Sequence, residues 1–572
     1  MESLFRKTYL RPFRAADLVV AAGVLALLYS ILHLSKALAI PFHPGHGPGI
    51  SLSPFLLPYY AGESLLRMFA AYVLSLLFSL VYGYACAYSR LGEKLLIPLL
   101  DILQSVPILG FLSITVTGFT SLFPGNLIGL ELASIFAVFT SQAWNITFSF
   151  YHSLRAIPEE FQEASRLYRL NPWQRFSQLE LPHAMGSLVW NSMLSFGGSW
   201  IFLTASEAIT VYGRQVELPG LGSYLATAIA GGDLRSIFYA LAAMVVVIIA
   251  LDQFFWRPLL AWASRYAADA EDADAQLPAS SILTILRRSH LIFWFQRTFI
   301  FPLAEQANRL AVNLFTFRSN PAPAGRSPAR LVTGTAFAVL SAYLAYRGLA
   351  LMVTIPAPTV WPVFLMGLAT FGRVAAATAL SVIWAVPAGV YIGLHGRVSR
   401  WARPLAQILA SFPINMLFPF FTIVYLRYHI NFPFVGSVLL MMLGTQWYIL
   451  FNVIAGAQAI PEELREAGAV MGLSRASRWR DFLLPAIFPA LITGGITAAG
   501  NAWNTSILAE VVAWKGHSLT AFGLGSYITT ATGRGDNAAL LLGIVVMSIL
   551  VVLANRFVWH PLSLVAQAKY RL

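Results

Sequence analysis

The sequence predicts an all-α polytopic membrane protein, with about 12 transmembrane helices arranged as two parallel six-span repeats. Hydrophobic residues make up 58% of the 572 residues and charged residues only 11%, and one sequence pattern returns in both halves. A typical soluble domain carries about 25% charged residues. The low charge therefore excludes a soluble enzyme, a disordered protein and a nucleic-acid-binding protein. The single cysteine excludes a disulfide framework and a thiolate metal site.

Each predicted span is a run of about 20 mainly apolar residues, which is the length needed to cross the hydrocarbon core as a helix. Helices are predicted because backbone polar groups in lipid must be satisfied within the segment. In the first half the predicted spans are 16–35, 65–88, 95–118, 129–151, 185–211 and 236–256. In the second half they are 331–353, 365–394, 404–426, 434–456, 486–512 and 538–558.

Basic residues predict the orientation of the chain in the membrane. Arg6, Lys7, Arg11 and Arg14 precede the first span. Because cytoplasmic loops carry an excess of Lys and Arg, the N-terminus is predicted to lie in the cytoplasm. From that start, most of the 38 basic residues fall in inner loops, and the C-terminus is also predicted to be cytoplasmic.

An internal repeat relates the two halves. Segment 157–164 matches segment 460–467 at an offset of 303 residues. The same offset relates Trp200 to Trp503, Glu207 to Glu510, and 220–224 to 523–527. Because each half has an even number of spans, both halves run in the same sense, as in a parallel repeat about an axis along the membrane normal. One chain is therefore predicted to contain both halves of a pseudo-dimer.

The repeated inner loop carries the most informative motif. In the second half it reads Glu466-Ala467-Gly468, then Gly472, then Leu484-Pro485. In the first half it reads Glu163-Ala164-Ser165, with Arg169 in the glycine position, then Leu181-Pro182. This pattern resembles the EAA loop of ABC importer permeases. The later sequence, a glutamate, about a dozen residues and then Gly-Leu-Gly, is similar to the nitrate/sulfonate/taurine/bicarbonate branch of that family.

The resemblance covers roughly 64–258 and 365–561 and implies the type I ABC importer permease fold, as a fused double permease. The predicted segments are 1–63 with the first span, 64–258 as permease core 1, 259–330 as a linker, 331–364 with the first span of the second half, 365–561 as permease core 2, and 562–572 as a cytoplasmic tail. Within the linker, 286–297 mixes arginine with aromatic residues and predicts an interfacial helix, with a flexible connector as the alternative.

Each loop is predicted to form two short helices, the second basic and aromatic and suited to docking on a soluble partner. In the family this is the coupling helix on the ATPase subunit; the alternative is an ordinary basic inner loop. The predicted coupling residues are Glu163, Ala164, Trp173, Arg175, Glu466, Ala467, Gly472, Arg475, Arg478 and Trp479. The chain contains no Gly-Lys pair, so it has no phosphate-binding P-loop. It is predicted to be no enzyme and to bind no cofactor, with ATP and Mg²⁺ at partner subunits.

Polar residues inside predicted spans are costly and are therefore candidates for a solute pathway. The candidates are Gln142, Asn145, Ser199, Trp200, Glu207, Gln446, Asn501, Trp503, Asn504 and Glu510. Uncharged hydrogen-bonding groups with little fixed charge favour a small polar solute or a weakly hydrated anion. Alternatively, such residues pack helices together. Glu207 and Glu510, near the outer mouth, could gate the path or contact a binding protein, or could cap the Gly-Leu-Gly-Ser-Tyr segments.

The resemblance implies two cytoplasmic ATPase subunits, a periplasmic or lipid-anchored solute-binding protein and membrane lipids as partners, in a bacterial inner membrane. No metal site or nucleic-acid contact is expected. The competing class is an ion-coupled secondary transporter with two parallel six-span halves. That class predicts buried carboxylates or histidines as a proton relay, and mid-span charges are scarce in the sequence.

Overall fold

The structure is a computed structural model that describes residues 49–266 and 353–569, apart from 125, 212–213, 430, 472–473 and 515–516, together with scattered positions between 297 and 350. The predicted spans 16–35 and, almost entirely, 331–353 lie outside these residues, as do most of the linker and both chain termini. Helices dominate the described ranges, so the all-α polytopic fold class is confirmed. The predicted segment boundaries stay predictions.

The first half contains eleven labelled helices and one β-hairpin within the described ranges. The helices are α1 Leu57–Tyr88, α2 Arg90–Ser105, α3 Ile108–Leu122, α4 Ile128–Arg155, α5 Glu159–Leu167, α6 Pro172–Arg175, α7 Leu181–Gly198, α8 Trp200–Glu207, α9 Leu221–Gly231, α10 Leu234–Leu251 and α11 Arg257–Ala263. The hairpin joins β1 Ala208–Val211 to β2 Arg214–Glu217.

The second half repeats this order. Its helices are α12 Ala357–Leu394, α13 Gly396–Ser411, α14 Phe418–Tyr428, α15 Ser437–Gln458, α16 Glu462–Val470, α17 Arg475–Ser477, α18 Leu484–Ala509, α19 Leu524–Arg534, α20 Asn537–Ala554 and α21 His560–Lys569, and its hairpin joins β3 Val511–Trp514 to β4 His517–Thr520. Short 3-10 or π-helical turns occupy Pro54–Leu56, Phe176–Glu180, Asp252–Trp256, Ser264–Tyr266, Ile414–Leu417, Phe432–Gly436, Arg478–Leu483 and Asn555–Trp559.

Ten of the twelve predicted spans fall in the described ranges, and the structure has fewer continuous spans than that. Six helices are long and apolar enough to cross a membrane, and a seventh span results if the bent pair α13–α14 counts as one. α4 has the length of a span, with 28 residues, but its polar residues lower its hydropathy.

The prediction of continuous helices at 95–118 and 404–426 is wrong. Both runs break at a proline, Pro107 in the first half and Pro413 in the second. Proline lacks an N–H donor, and it holds the residue before it in an extended conformation, which Val106 and Phe412 both adopt. In the second half the two pieces meet at 79°. The broken spans leave two helix starts inside the protein.

The fifth predicted spans also end differently from the prediction. The run 185–211 is interrupted at Ser199, between α7 and α8, whereas α18 continues unbroken to Ala509. Both predicted spans run past their helices into the first strand of a hairpin, β1 or β3. β-branched residues such as Ile209, Val511 and Val512 suit an extended strand, which explains this ending.

A buried arginine in each of the long helices α1 and α12 connects segments that lie far apart in the chain. Arg67 is 1% exposed. Its Nε and Nη2 donate to Glu131 at 2.6 and 2.8 Å, and its Nη1 donates to Glu207 at 2.9 Å. In the second half, Arg373 donates to Glu510 at 2.9 Å, while its other nitrogens donate to the carbonyls of Pro433 and Phe522. We call these the Arg67 network and the Arg373 network.

The two glutamates also cap the short helices α9 and α19. Glu207 accepts hydrogen bonds from the Gly222 amide at 2.7 Å and from Ser64 Oγ at 2.6 Å. Glu510 accepts from the Gly525 amide at 2.8 Å and from Thr370 Oγ1 at 2.8 Å. A carboxylate at a helix N-terminus satisfies free N–H groups and favours the positive end of the helix dipole. Both side chains are fully buried, which favours the capping alternative for these residues.

Close packing of the carboxylates explains a glycine in each half. A Cβ atom on Gly220 would lie 2.3 Å from the Glu207 carboxylate, and one on Gly523 would lie 2.3 Å from that of Glu510. Only glycine fits this approach. The Gly-Leu-Gly sequence therefore serves the two networks directly.

We predict that Glu510→Gln destabilises the protein more than Glu207→Gln does. Without the Glu510 charge, Arg373 has no carboxylate partner left, and breaking a buried ion pair costs about 3–5 kcal/mol. After the matched change at Glu207, Arg67 still has the bidentate pair with Glu131. Thermal unfolding of the two purified variants in detergent measures the difference. Equal losses in unfolding temperature would contradict the assignment.

Candidate functional site: the repeated loops and the interface between the halves

The loop of the first half forms two short helices, as predicted. α5 begins after Pro158, with Glu159 and Glu160 in its first turn, where negative charge is favourable. Asn171 begins α6 through a capping box: its side chain accepts from the Gln174 amide at 2.8 Å, and Gln174 Oε1 accepts from the Asn171 amide at 3.0 Å.

Arg169 occupies a backbone conformation that favours glycine. Its φ is 50°, in the left-handed region. The amides of Arg169 and Leu170 donate to the carbonyls of Arg166 and Ser165, which closes α5 with a Schellman motif. The glycine position of the EAA pattern therefore has a local structural reason, and the first loop keeps the turn although it carries arginine. Gly472, the matching residue, lies outside the described residues.

Each loop exposes three large apolar side chains at matching positions, which we call the apolar docking faces. They are Phe161, Leu167 and Tyr168 in the first loop and Leu464, Val470 and Met471 in the second, and their exposed fractions range from 41 to 88%. Exposed apolar side chains clustered in the same place twice indicate a surface for protein contact. The motif-based prediction missed these residues. The constant offset of the repeat could have identified them, because large apolar residues occur at the same positions in both loops.

Two predicted coupling residues of the first loop contact the rest of the chain. Trp173 Nε1 donates to Asn308 Oδ1 of the linker at 2.5 Å. Arg175 forms an ion pair with the buried Glu180 at 2.6 Å and donates to Tyr88 Oη at 3.0 Å. The second loop differs, because Leu483 stands at the position matching Glu180.

The other predicted coupling residues lie at the surface where the structure describes them. Glu163, Glu466 and Arg478 are exposed, and Ala164 and Trp479 are half-buried. The side chains of Ala467 and Arg475 are not among those described. The exposed members are therefore available to a partner, whereas Arg175 is held against the end of α1.

Most of the predicted pathway residues are buried, and the hydrogen bonds of Ser199 and Asn501 stay within one half. Gln142, Ser199, Trp200, Gln446 and Trp503 are buried. Ser199 Oγ lies 2.6 Å from Ser141 Oγ, and Asn501 Nδ2 donates to the Gly444 carbonyl at 3.1 Å. These contacts favour the helix-packing alternative for this group. Asn145, by contrast, is exposed and donates to Ser195 Oγ at 2.8 Å.

Asn504 lies at the interface between the halves. Its Oδ1 accepts from the Ile108 amide at 2.7 Å, at the start of α3 in the other half. On the opposite side, Asn415 Nδ2 donates to Thr204 Oγ1 at 3.0 Å. The break at Pro107 thus contacts α18 of the second half, and the break at Pro413 contacts α8 of the first half. The sequence pointed to Asn504 but not to Asn415, which neither the repeat nor a motif distinguishes.

One face of α18 stays open near this interface. Thr493, Thr497 and Gly500 are exposed on it, at helical spacing. At the position matching Gly500, Gly197 is covered by the other half, since a Cβ there would lie 2.5 Å from Ser411 Oγ. This glycine position is therefore covered in the first half and open in the second. Small and hydroxyl-bearing side chains on the open face suit a polar solute.

We predict that Arg169→Gly stabilises the first loop. A non-glycine residue in the left-handed conformation costs about 1–2 kcal/mol, and glycine removes that cost. Amide hydrogen exchange of 159–175 measures the change as slower exchange. The matched control, Arg166→Gly within α5, should speed exchange because glycine destabilises a helix interior by about 1 kcal/mol. Faster exchange in Arg169→Gly would contradict the assignment.

Comparison with known proteins matches both halves to one family. The family model for the binding-protein-dependent transport system inner membrane component matches residues 75–255 and 385–559. The chain is 26% identical over 190 residues to the nitrate import permease protein NrtB of Leptolyngbya laminosa, covering 33% of this chain and 64% of that protein. It is 25% identical over 195 residues to the bicarbonate transport system permease protein CmpB of Synechococcus elongatus, covering 34% and 66%.

A third relative is the taurine transport system permease protein TauC of Escherichia coli, which is 24% identical over 185 residues, covering 32% of this chain and 63% of that protein. The chain thus spans slightly less than two thirds of the length of these relatives. Because the two family matches together include more than half of the residues and coincide with the two structural repeats, the chain belongs to the family of binding-protein-dependent transport system inner membrane components and carries two copies of its domain.

Proposed function

We propose that this protein is the membrane-spanning permease of an ATP-driven importer for a small polar or anionic solute of the nitrate, bicarbonate or taurine kind. The observation that carries the proposal is the duplication of the family domain together with its loop in one chain. The relatives named for nitrate, bicarbonate and taurine transport support the solute class. The uncharged polar residues at the interface between the halves are consistent with it.

In the proposed mechanism, each apolar docking face contacts one of two ATPase subunits, which bind ATP and Mg²⁺ and carry out the hydrolysis. α5 and α6 connect the ends of α4 and α7, so a movement of the docked loop pulls on both helices. In the first half, the pair of Arg175 with Glu180 and its contact with Tyr88 make this connection stiffer. Closure of the ATPase pair is thereby transmitted as a rigid-body movement of the halves.

The solute passes between the halves in this proposal. The cross-half hydrogen bonds of Asn504 and Asn415 break when the halves separate and form again when they close. A periplasmic or lipid-anchored binding protein delivers the solute at the hairpin side of the membrane, opposite the loops. In this arrangement the protein lies in a bacterial inner membrane, with the loops and both termini in the cytoplasm.

We predict that Phe161→Glu combined with Leu464→Glu abolishes stable association with the ATPase subunits. A charge in a buried apolar contact leaves an unpaired charge in the interface, which costs several kcal/mol. Co-purification of the complex, and its solute-stimulated ATP hydrolysis in proteoliposomes, measure the effect. Phe161→Leu is the control, because leucine already occupies the matching position in the second loop. Retention of full stimulated hydrolysis by the double variant would refute the docking assignment.

We predict that Asn504→Leu lowers solute uptake by about tenfold, equivalent to about 1.4 kcal/mol, because the Ile108 amide loses its acceptor across the interface. Asn501→Leu is the matched comparison on the same helix. It removes a hydrogen bond within the second half only, so its effect on uptake should be smaller. Uptake of nitrate, bicarbonate and taurine by proteoliposomes containing the complex provides the measurement. Equal losses in the two variants would remove Asn504 from the pathway.

A further inference from the structure

A half-buried arginine of the second half faces an aromatic ring of the first. Arg403 lies on α13, and its guanidinium carbon is 6.0 Å from the centre of the Trp190 ring on α7. That distance is at the limit of a cation–π contact, which is a modest interaction where water has access. Trp190 is 37% exposed, and Arg403 is half-buried, so neither side chain is enclosed by the protein.

Arg403 differs from the other buried and half-buried arginines of the described ranges. Arg67, Arg175, Arg257 and Arg373 each form an ion pair with a carboxylate, and Arg465 donates to backbone carbonyls. Among the described residues, Arg403 forms no ion pair within 4.0 Å. Arg403 immediately precedes the predicted span 404–426, and a half-buried guanidinium without a carboxylate partner is a candidate for binding an anion.

Polar residues continue from Arg403 along the same face of α13. Gln407 and Ser411 follow at intervals of four residues, so they lie on one side of the helix. Both line a cavity of about 20 Å³ between the halves, with Gly197 on the opposite wall. Asp252 also borders this cavity, but its carboxylate is paired with Arg257 at 2.8 Å. The polar face thus runs from the loop side of α13 into the closed interface.

The first half has no equivalent of this pair. By the offset of the third span, Ile97 stands where the second half has Arg403, and Thr493 stands where the first half has Trp190. The charge is therefore present once in the pseudo-dimer. One binding site on one solute pathway is consistent with this asymmetry. A contact that only packs the helices would be expected in both halves of the repeat.

We infer that Arg403 and Trp190 form an anion-binding subsite on the loop side of the interface between the halves, which takes a small oxyanion before it leaves the pathway. The inference rests on the proposed function. The planar fork of a guanidinium can donate two parallel hydrogen bonds to a planar oxyanion such as nitrate or bicarbonate. The anion then replaces the weak contact with the Trp190 ring and is released as the halves move.

The test uses the complex with its ATPase and binding protein in proteoliposomes, with nitrate, bicarbonate and taurine as probes. Arg403→Gln should lower uptake of the transported anion about tenfold or more, and Arg403→Lys should have an intermediate effect, because it keeps the charge but not the planar fork. Arg400→Gln, an exposed arginine on the same helix, is the control and should transport normally. Uptake by Arg403→Gln within about twofold of the wild type would overturn the subsite.

Chemical rescue separates the charge from a structural role. In a chain with Cys86→Ala and Arg403→Cys, a cationic aminoethyl methanethiosulfonate adduct should recover uptake, and an anionic sulfonatoethyl adduct should not. Equal uptake with the two adducts would overturn the inference. A wild-type complex that imports none of the three solutes would overturn the proposed function and the subsite with it. Import by the wild type with no effect at Arg403 would overturn the subsite alone.

Discussion

The buried pairing of an arginine on α1 or α12 with a glutamate before the hairpin is the constraint on which each half depends. Arg67 and Glu207 join α1, the end of α8 and the start of α9, and Arg373 and Glu510 join α12, the end of α18 and the start of α19. Desolvating these charges is costly, so the pair is stable only when every remaining donor and acceptor is satisfied. The hydroxyls of Ser64 and Thr370 complete the arrangement. Helix capping, the Gly-Leu-Gly sequence and the packing of three segments follow from this one requirement.

Both halves share this arginine–glutamate pair, but they differ in the charged residues around it. The first half surrounds Arg67 with Glu131 and Glu207, whereas the second half replaces one carboxylate with the Pro433 carbonyl. The first loop is also fixed by Arg175, while Arg478 at the matching position is exposed. A permease built from two identical subunits cannot differ in this way. A fused chain can place one charge, such as Arg403, on one side of the interface.

The charge distribution also bears on the competing class of ion-coupled transporters. Charges in the middle of the predicted spans are scarce, but Arg67, Glu131 and Arg373 lie toward the ends of predicted spans and are buried. Hydropathy averages over a window, so a few charges in an apolar run do not stand out. These charges are nevertheless held in ion pairs that fix helices rather than in a chain of separate titratable groups. The two family matches and the paired loops favour the ATP-driven class.

The sequence by itself determined the fold class, the repeat, the loops and the family resemblance, because composition, apolar run length and a constant offset are local or linear properties of the chain. Only the tertiary structure decided that Pro107 and Pro413 divide their spans, that Glu207 and Glu510 are caps, and that Asn504 faces the other half while Gln142 does not. Each of these outcomes depends on a neighbour far away in the chain: Asn504 meets a residue 396 positions earlier. Periodicity reports which side of a helix is apolar, but not which segment covers it. For the same reason the exposed loop residues and Arg403 were not distinguished in the sequence and became candidates only through their surroundings.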